Sequence, residues 1–285
     1  MLNKISSKGQ SVPSVVKATD AIANEKILAL WLHGKSPETK ASYSRVAERL
    51  MAYCNHKPIQ WLKLEDLQGF IDEELSQFKE SSQRTYIAGL KSLFSFVAKL
   101  GIVNFNIALV IKSPQAKNEL SHRILDKPTV IRMIQEEPDS RNQLVLKIFY
   151  YTGIRASELA GLQWKDLNHG VLTVFGKGGK TRYIRIPEPL SRDLESLRQQ
   201  PNKYVIPGRS GKRISREHLT RIVNAAAKRI GVKASAHWLR HAHASHSLKA
   251  GASIALVSQT LGHSDVAITS KYLHCDPSES SGLYL

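Results

Sequence analysis

Apolar positions recur along most of the chain at three- and four-residue spacing, the period of a helix with one buried face. Ile27 and Trp31 share such a face, and Gly34 closes their segment. Ser36-Pro37-Glu38 then reads as a helix start: a side-chain cap, a proline in the first turn, and an acid beside the positive dipole end. Tyr43, Val46, Leu50 and Tyr53 follow at helical spacing, and Leu67, Phe70, Ile71, Leu75 and Phe78 mark a third helix. A fourth starts at Ser81 or Ser82, carries Tyr86, Leu90, Leu93, Phe94 and Val97 on its inner side, and ends at Gly101. The pattern predicts a small all-α domain over residues 15–112, preceded by a loose polar segment, 1–14.

Periodicity lapses after residue 112, and 113–122 reads as a linker. Helical patterning resumes at 128–137 and 140–152. Alternation with period two appears only in Val171–Phe175 and Tyr183–Ile186, joined by Gly176-Lys177-Gly178-Gly179-Lys180, which predicts a hairpin. Further helices are expected over about 188–199, 215–230, 236–250, 253–261 and 266–273, with an extended tail after them. The fold class is therefore mainly α with a small β-sheet, in two domains: 15–112, and an α+β domain over 123–285.

Charge narrows the partners. The 285 residues hold 41 Lys and Arg against 24 Asp and Glu, a formal net charge of +17. Such a balance points to a polyanion, and nucleic acid is the commonest one. Residues 1–112 contribute 15 basic against 10 acidic side chains, and the remainder 26 against 14. No run of about 18 apolar residues and no basic amphipathic helix supports a membrane partner. Cys54 and Cys275 are far apart and in no CxxC pair, which fits a reducing cytoplasm and no zinc or disulfide framework.

Several short motifs carry chemistry. His237 and Arg240 in HWLRHAHAS stand at i and i+3, on one helix face, where an Arg fork and an imidazole can both meet a phosphate. His218 and Arg221 repeat that spacing, so the pair alone does not decide. Arg155 lies in TGIRASEL between two helices, His263 follows Leu261-Gly262, and Tyr272 lies nine residues later in SKYLH. Each has a plainer reading: Arg155 as a surface ion pair with Glu158, His263 as a helix cap, Tyr272 as a buried amphipathic ring. The histidines 237, 241, 243 and 246 lack an HExxH glutamate or a neighbouring Cys ligand, so no metal is expected, and His241 reads as a packed or helix-bonded residue. GKGGKT lacks the Walker A spacing. Without metal, negative charge on a transferring phosphate calls for fixed cations.

In the order Arg, hairpin Lys, HxxR, His, Tyr, the boxes TGIRASEL, FGKGGKTR, HWLRHAHAS, TLGHS and KYLH resemble the tyrosine recombinase (phage integrase) family. The resemblance covers nearly the whole chain. It implies a helical core-binding domain over about 15–110 and a catalytic domain over 123–276. It implies that Arg155 and Arg240 hold the scissile phosphate, that His237 and His263 assist, and that Tyr272 attacks to give a 3′-phosphotyrosine. A hairpin lysine is expected to protonate the leaving 5′ oxygen: Lys177 by its position after the first strand, with Lys180 as the other candidate. No cofactor is expected. The implied partners are a specific crossover site in duplex DNA and three further copies, as a homo-tetramer on two sites. Lys40, Arg84, Arg213, Arg216 and Arg221, near helix starts, are candidate DNA contacts. A type IB topoisomerase or a non-catalytic DNA-binding regulator is the competing reading. The lack of room before residue 15 for an arm-binding domain leans towards a simple Xer-like or transposon-type enzyme.

Overall fold

The structure is a computed structural model that describes residues 23–115, 120–176, 179–198 and 202–273. The chain divides into two units, Met1–Lys117 and Asn118–Leu285.

The first unit is helical. Helix α1 (Asn24–Leu32) buries Ile27 and Trp31, and Gly34 beyond it takes the left-handed conformation. Helix α2 (Pro37–Tyr53) begins as its sequence predicts, with the Ser36 hydroxyl accepting from the Thr39 N–H. Helix α3 (Leu64–Gly69) loosens into one π-helical segment, Phe70–Leu75, so the expected third helix is real but irregular. Helix α4 (Glu80–Lys99) starts before Ser81, with Lys79 at the cap and no side-chain cap bond, so neither expected serine caps it. The core joins Ile27, Trp31, Leu50, Phe70, Leu90 and Phe94.

The second unit holds α5 (Lys127–Gln135), α6 (Ser140–Thr152), α7 (Ala156–Gly161), α8 (Glu188–Arg198), α9 (Arg216–Arg229), α10 (Ala236–Lys249), α11 (Ile254–Leu261) and α12 (Ala267–Ser270). Its antiparallel sheet has three strands in the order β1 (Leu167–Asn168), β2 (Val171–Phe175), β3 (Thr181–Arg185). The register pairs Val171 with Arg185 and Phe175 with Thr181. Four expectations need correction. The second hairpin strand runs 181–185 rather than 183–186, because Thr181 pairs with Phe175. The two-residue β1 is too short to leave a period. The last helix covers only 267–270, and Tyr272 follows it in a turn. Within 113–122, Ser121 already opens a 3-10 turn, Ser121–Arg123.

Helix α6 crosses the unit, burying Leu144, Val145, Ile148 and Phe149. It packs on α5, α8, α9 and α10. That central helix ends at Gly153, two residues before Arg155, the cap of α7.

Candidate active site

Helix α6 stops because Gly153 takes a left-handed φ of 60°, closing the helix with a backbone bond to Phe149. Two residues later Arg155 caps α7. Its N–H donates to Glu158 Oε2 at 2.8 Å, and its guanidinium donates to Glu158 Oε1 at 2.9 Å. Helix α11 ends in the same way. Gly262 has φ 65°, and the His263 N–H bonds to the Ser258 carbonyl. These two glycine-terminated ends lie side by side, and carbonyls that their helices leave unpaired accept from arginine.

Arg240 is buried, at 2% exposure, on α10. Its guanidinium donates to the carbonyls of Gly153 and Leu261, both at 2.7 Å. Arg155 reaches the next carbonyl, Gly262, at 3.3 Å. Two guanidiniums thus converge on the turn after α11. Burial and the neighbouring Arg155 push the Arg240 pKa down to about 10, still charged at neutral pH.

His263 directs Nδ1 to the Thr269 hydroxyl at 2.7 Å, which ties the turn to α12. Burial, then Arg240, Arg155 and Arg182, push its pKa down to about 4. His237 stands on the first turn of α10, and its ring meets His241 edge-on, with centroids 4.2 Å apart. Burial and the charges of Arg240 and Arg155 also lower its pKa. Tyr272 is buried and its hydroxyl lies 2.7 Å from His241 Nδ1.

Arg155, His237, Arg240, His263 and Tyr272 are therefore brought into one neighbourhood. Lys177 lies outside the described residues. Lys180 closes the hairpin through its carbonyl, which accepts from the Gly176 N–H at 2.8 Å. The second HxxR, His218 and Arg221, sits on α9, and the charges around His218 are Arg221, Arg141 and Arg209, none of them in this cluster.

Two residues of the cluster escaped the sequence reading. Arg182 on β3 is buried and grips Glu158 with two donors, at 3.0 and 2.7 Å, while its Nε donates to the Thr260 carbonyl at 2.8 Å. The hairpin is thereby bolted to the end of α11. Alternation could have found it, since Arg182 shares the inward side of its strand with Ile184. His241 does not merely pack or bond within its helix, as expected. It bonds to Tyr272, a contact 31 residues away that no local pattern encodes. His243 and His246 turn to other partners, the Tyr150 carbonyl and the Tyr150 hydroxyl.

The candidate DNA contacts are spread over both units. Lys40 is exposed on the first turns of α2, and Arg84 lies on α4. In the second unit Arg213 donates to the Ser157 carbonyl at 3.2 Å, Arg216 pairs loosely with Glu217 at 3.4 Å, and Arg221 is exposed. Among the described residues no group of three His, Cys, Asp or Glu could hold a metal ion, and no helix is long and apolar enough to cross a membrane.

Comparison with known proteins identifies the family. The model of the phage integrase family matches residues 123–279. The chain is 30% identical over 273 residues to the tyrosine recombinase XerC of Pelobacter propionicus, covering 88% of this chain and 90% of that one. It is equally similar, over the same shares, to the tyrosine recombinase XerC of Xylella fastidiosa strain M23. Its fold is similar to lambda integrase residues 75–356, solved as a dimer bound to a COC′ core site, with TM-score 0.77 and 17% identity over 90% of this chain and 95% of that one. A lambda integrase tetramer bound to a Holliday junction gives the same TM-score at 16% identity, over 92% and 80% of the two chains. The chain belongs to the phage integrase family and is a tyrosine site-specific recombinase.

Proposed function

We propose that Tyr272 is the nucleophile that cuts duplex DNA and that Arg155 and Arg240 neutralise the phosphate it attacks. The observation that carries this reading is the convergence of the two guanidiniums on the Leu261–Gly262 turn, with Tyr272 tied to the same helix α10. A phosphate seated between two arginine forks gains charge on going to its five-coordinate transition state. Fixed cations there stabilise the transition state more than the ground state. The attack leaves a 3′-phosphotyrosine and a free 5′ hydroxyl, and a 5′ hydroxyl from another duplex reverses it. The bond energy stays in the phosphotyrosine, so the exchange needs no nucleotide cofactor. His237 and His263 donate to the same phosphate, and Lys177, or else Lys180, protonates the departing oxygen.

The helical first unit serves as the core-binding domain and the second as the catalytic one. The family match, which lies within the second unit, supports that division. A homo-tetramer on two crossover sites is the working assembly. Its support is the similarity of fold to an integrase solved as a tetramer on a Holliday junction. A cytoplasmic enzyme fits these readings.

Covalent trapping tests the central step. The wild-type protein is mixed with fragmented genomic DNA, denatured, and the attached fragments are sequenced to give the crossover site. Tyr272→Phe loses only the hydroxyl, so it is expected to bind the recovered site normally and yield no adduct. Adducts at the wild-type rate from the Phe variant would remove Tyr272 from the mechanism.

A further inference from the structure

A phenol with an ordinary pKa near 10 is a poor nucleophile until its proton has somewhere to go. The arginines cannot accept that proton. His263 directs Nδ1 to Thr269 instead. His241 lies next to Arg240 on α10 and one turn beyond His237, and it places Nδ1 2.7 Å from the Tyr272 hydroxyl. That is within proton-transfer reach. The two rings stand with centroids 5.6 Å apart and a 47° tilt, and the His237 ring braces His241 from its other neighbour position on the helix.

We propose that His241 is the proton acceptor for Tyr272, taking the phenolic proton at Nδ1 as the oxygen attacks phosphorus. The inference rests on the reading of Tyr272 as nucleophile. The Tyr272 O–H bond breaks and an Nδ1–H bond forms. The phenolic oxygen bonds to phosphorus, and the bond from phosphorus to the 5′ oxygen breaks. That oxygen leaves with a proton from the hairpin lysine. On rejoining, the incoming 5′ hydroxyl surrenders its proton to the lysine, and His241 returns its own to Tyr272.

The surroundings make this base conditional on DNA. His241 is buried, and the charged and titratable groups about it are His237 and Arg240 on its own helix, Arg123 from the 3-10 turn before α5, and His263 after α11. Burial first, and then these groups, push the pKa of the ring down to about 3. The ring is neutral at physiological pH and positioned to accept, but the same cations oppose its protonation. A phosphate between Arg155 and Arg240 offsets their charge, most of all in the transition state, and raises the proton affinity of the ring. Without DNA the proton stays on Tyr272 and the nucleophile is quiet.

The test measures covalent adduct formation against pH on the trapped crossover duplex, synthesised with a sulfur in place of the bridging 5′ oxygen. Its leaving group needs no proton, so only the nucleophile's proton remains visible. His241→Leu is expected to slow the reaction about 10²-fold or more at neutral pH. Its rate should then climb about tenfold per pH unit towards the range of free tyrosine. His241→Asn keeps a short polar group beside the hydroxyl but offers no titrating nitrogen, so it is expected to share the steep climb. A wild-type rate and profile in the Asn variant would reduce His241 to a positioning residue and overturn the proposal, as would a Leu variant at the wild-type rate. A measurement on the unaltered protein guards against misfolded variants: ¹⁵N spectra without DNA are expected to show His241 with a bare Nδ1 and a protonated Nε2. A protonated Nδ1 would overturn the proposal as well. Adducts from Tyr272→Phe would sink both readings, whereas the His241 outcomes leave Tyr272 standing.

Discussion

Glu158 is a buried carboxylate shared by two arginines, and its neighbours decide whether the site keeps its shape. Burial alone would raise its pKa, but hydrogen bonds from Arg182 and Arg155 outweigh that and hold it below the ordinary value. Arg182 is as buried as its partner, so the pair is poorly screened. Removing Arg182 leaves the buried Glu158 with the partly exposed Arg155 as its one remaining ionic partner. Arg182→Ala is expected to cost about 3–5 kcal/mol in urea unfolding at pH 7, and to free the Thr260 carbonyl that holds the end of α11. The sign of the pH dependence follows from the lowered pKa. The stabilisation is present above the ordinary glutamate value of about 4.3 and is lost as pH falls through the lowered one. The gap between wild type and variant should therefore narrow in acid below about pH 4. A gap that is unchanged at low pH would mean that packing, not charge, carries the pair. At this scale the sequence was most legible where a side chain's chemistry and its motif coincide, as for Arg155, His237, Arg240, His263 and Tyr272. It was least legible for Arg182 and His241, whose parts depend on partners brought near only by the fold.

Elements were legible where a cap or a breaker is written in the residues. Ser36-Pro37 starts α2, Asp139 caps α6 by accepting from the Asn142 N–H at 2.8 Å, and Gly153 and Gly262 end α6 and α11. They were misread where no such mark exists. Helix α4 begins at Glu80 without a side-chain cap, and α12 stops after one turn. Gly153 joins two demands that no other residue meets. Its φ of 60° is strained for any side chain, and a Cβ there would come within 2.6 Å of Leu261 Cδ2 and 2.8 Å of His243 Cδ2. Gly231 at the end of α9 is left-handed too, at φ 76°, but has nothing within 4 Å of the same position. Gly231→Ala should therefore cost only the backbone strain, roughly 1–2 kcal/mol. Gly153→Ala should cost clearly more, and should also depress cleavage, because the Gly153 carbonyl holds Arg240. Thermal unfolding of the two variants side by side measures the difference. Equal losses would mean that α6 and α11 can part without strain.

At the scale of the molecule, the net charge of +17 is divided unequally, with the larger excess after residue 112. That division was plain in the composition, but composition cannot say which cations meet phosphate. The structure narrows the choice by showing which are already engaged. Arg182 spends its donors on Glu158 and the Thr260 carbonyl, and Arg213 gives one to the Ser157 carbonyl. Arg216 and Arg221, at the exposed start of α9, hold looser ties: Arg216 has a 3.4 Å pair with Glu217 at the surface, worth little in water. They are the better candidates for contacts made only on DNA. Each phosphate neutralised by a protein cation releases counterions, so the logarithm of the binding constant falls against the logarithm of salt with a slope of about −0.9 per contact. Replacing both Arg216 and Arg221 by Gln should flatten that slope by about 2 in anisotropy titrations between roughly 50 and 200 mM salt. The loss should be similar on the crossover duplex and on one of unrelated sequence, since phosphate contacts position without specifying. A greater loss on the crossover duplex alone would make one of the pair a base reader. An unchanged slope would place the start of α9 on the solvated face and move the electrostatic footprint elsewhere in the unit.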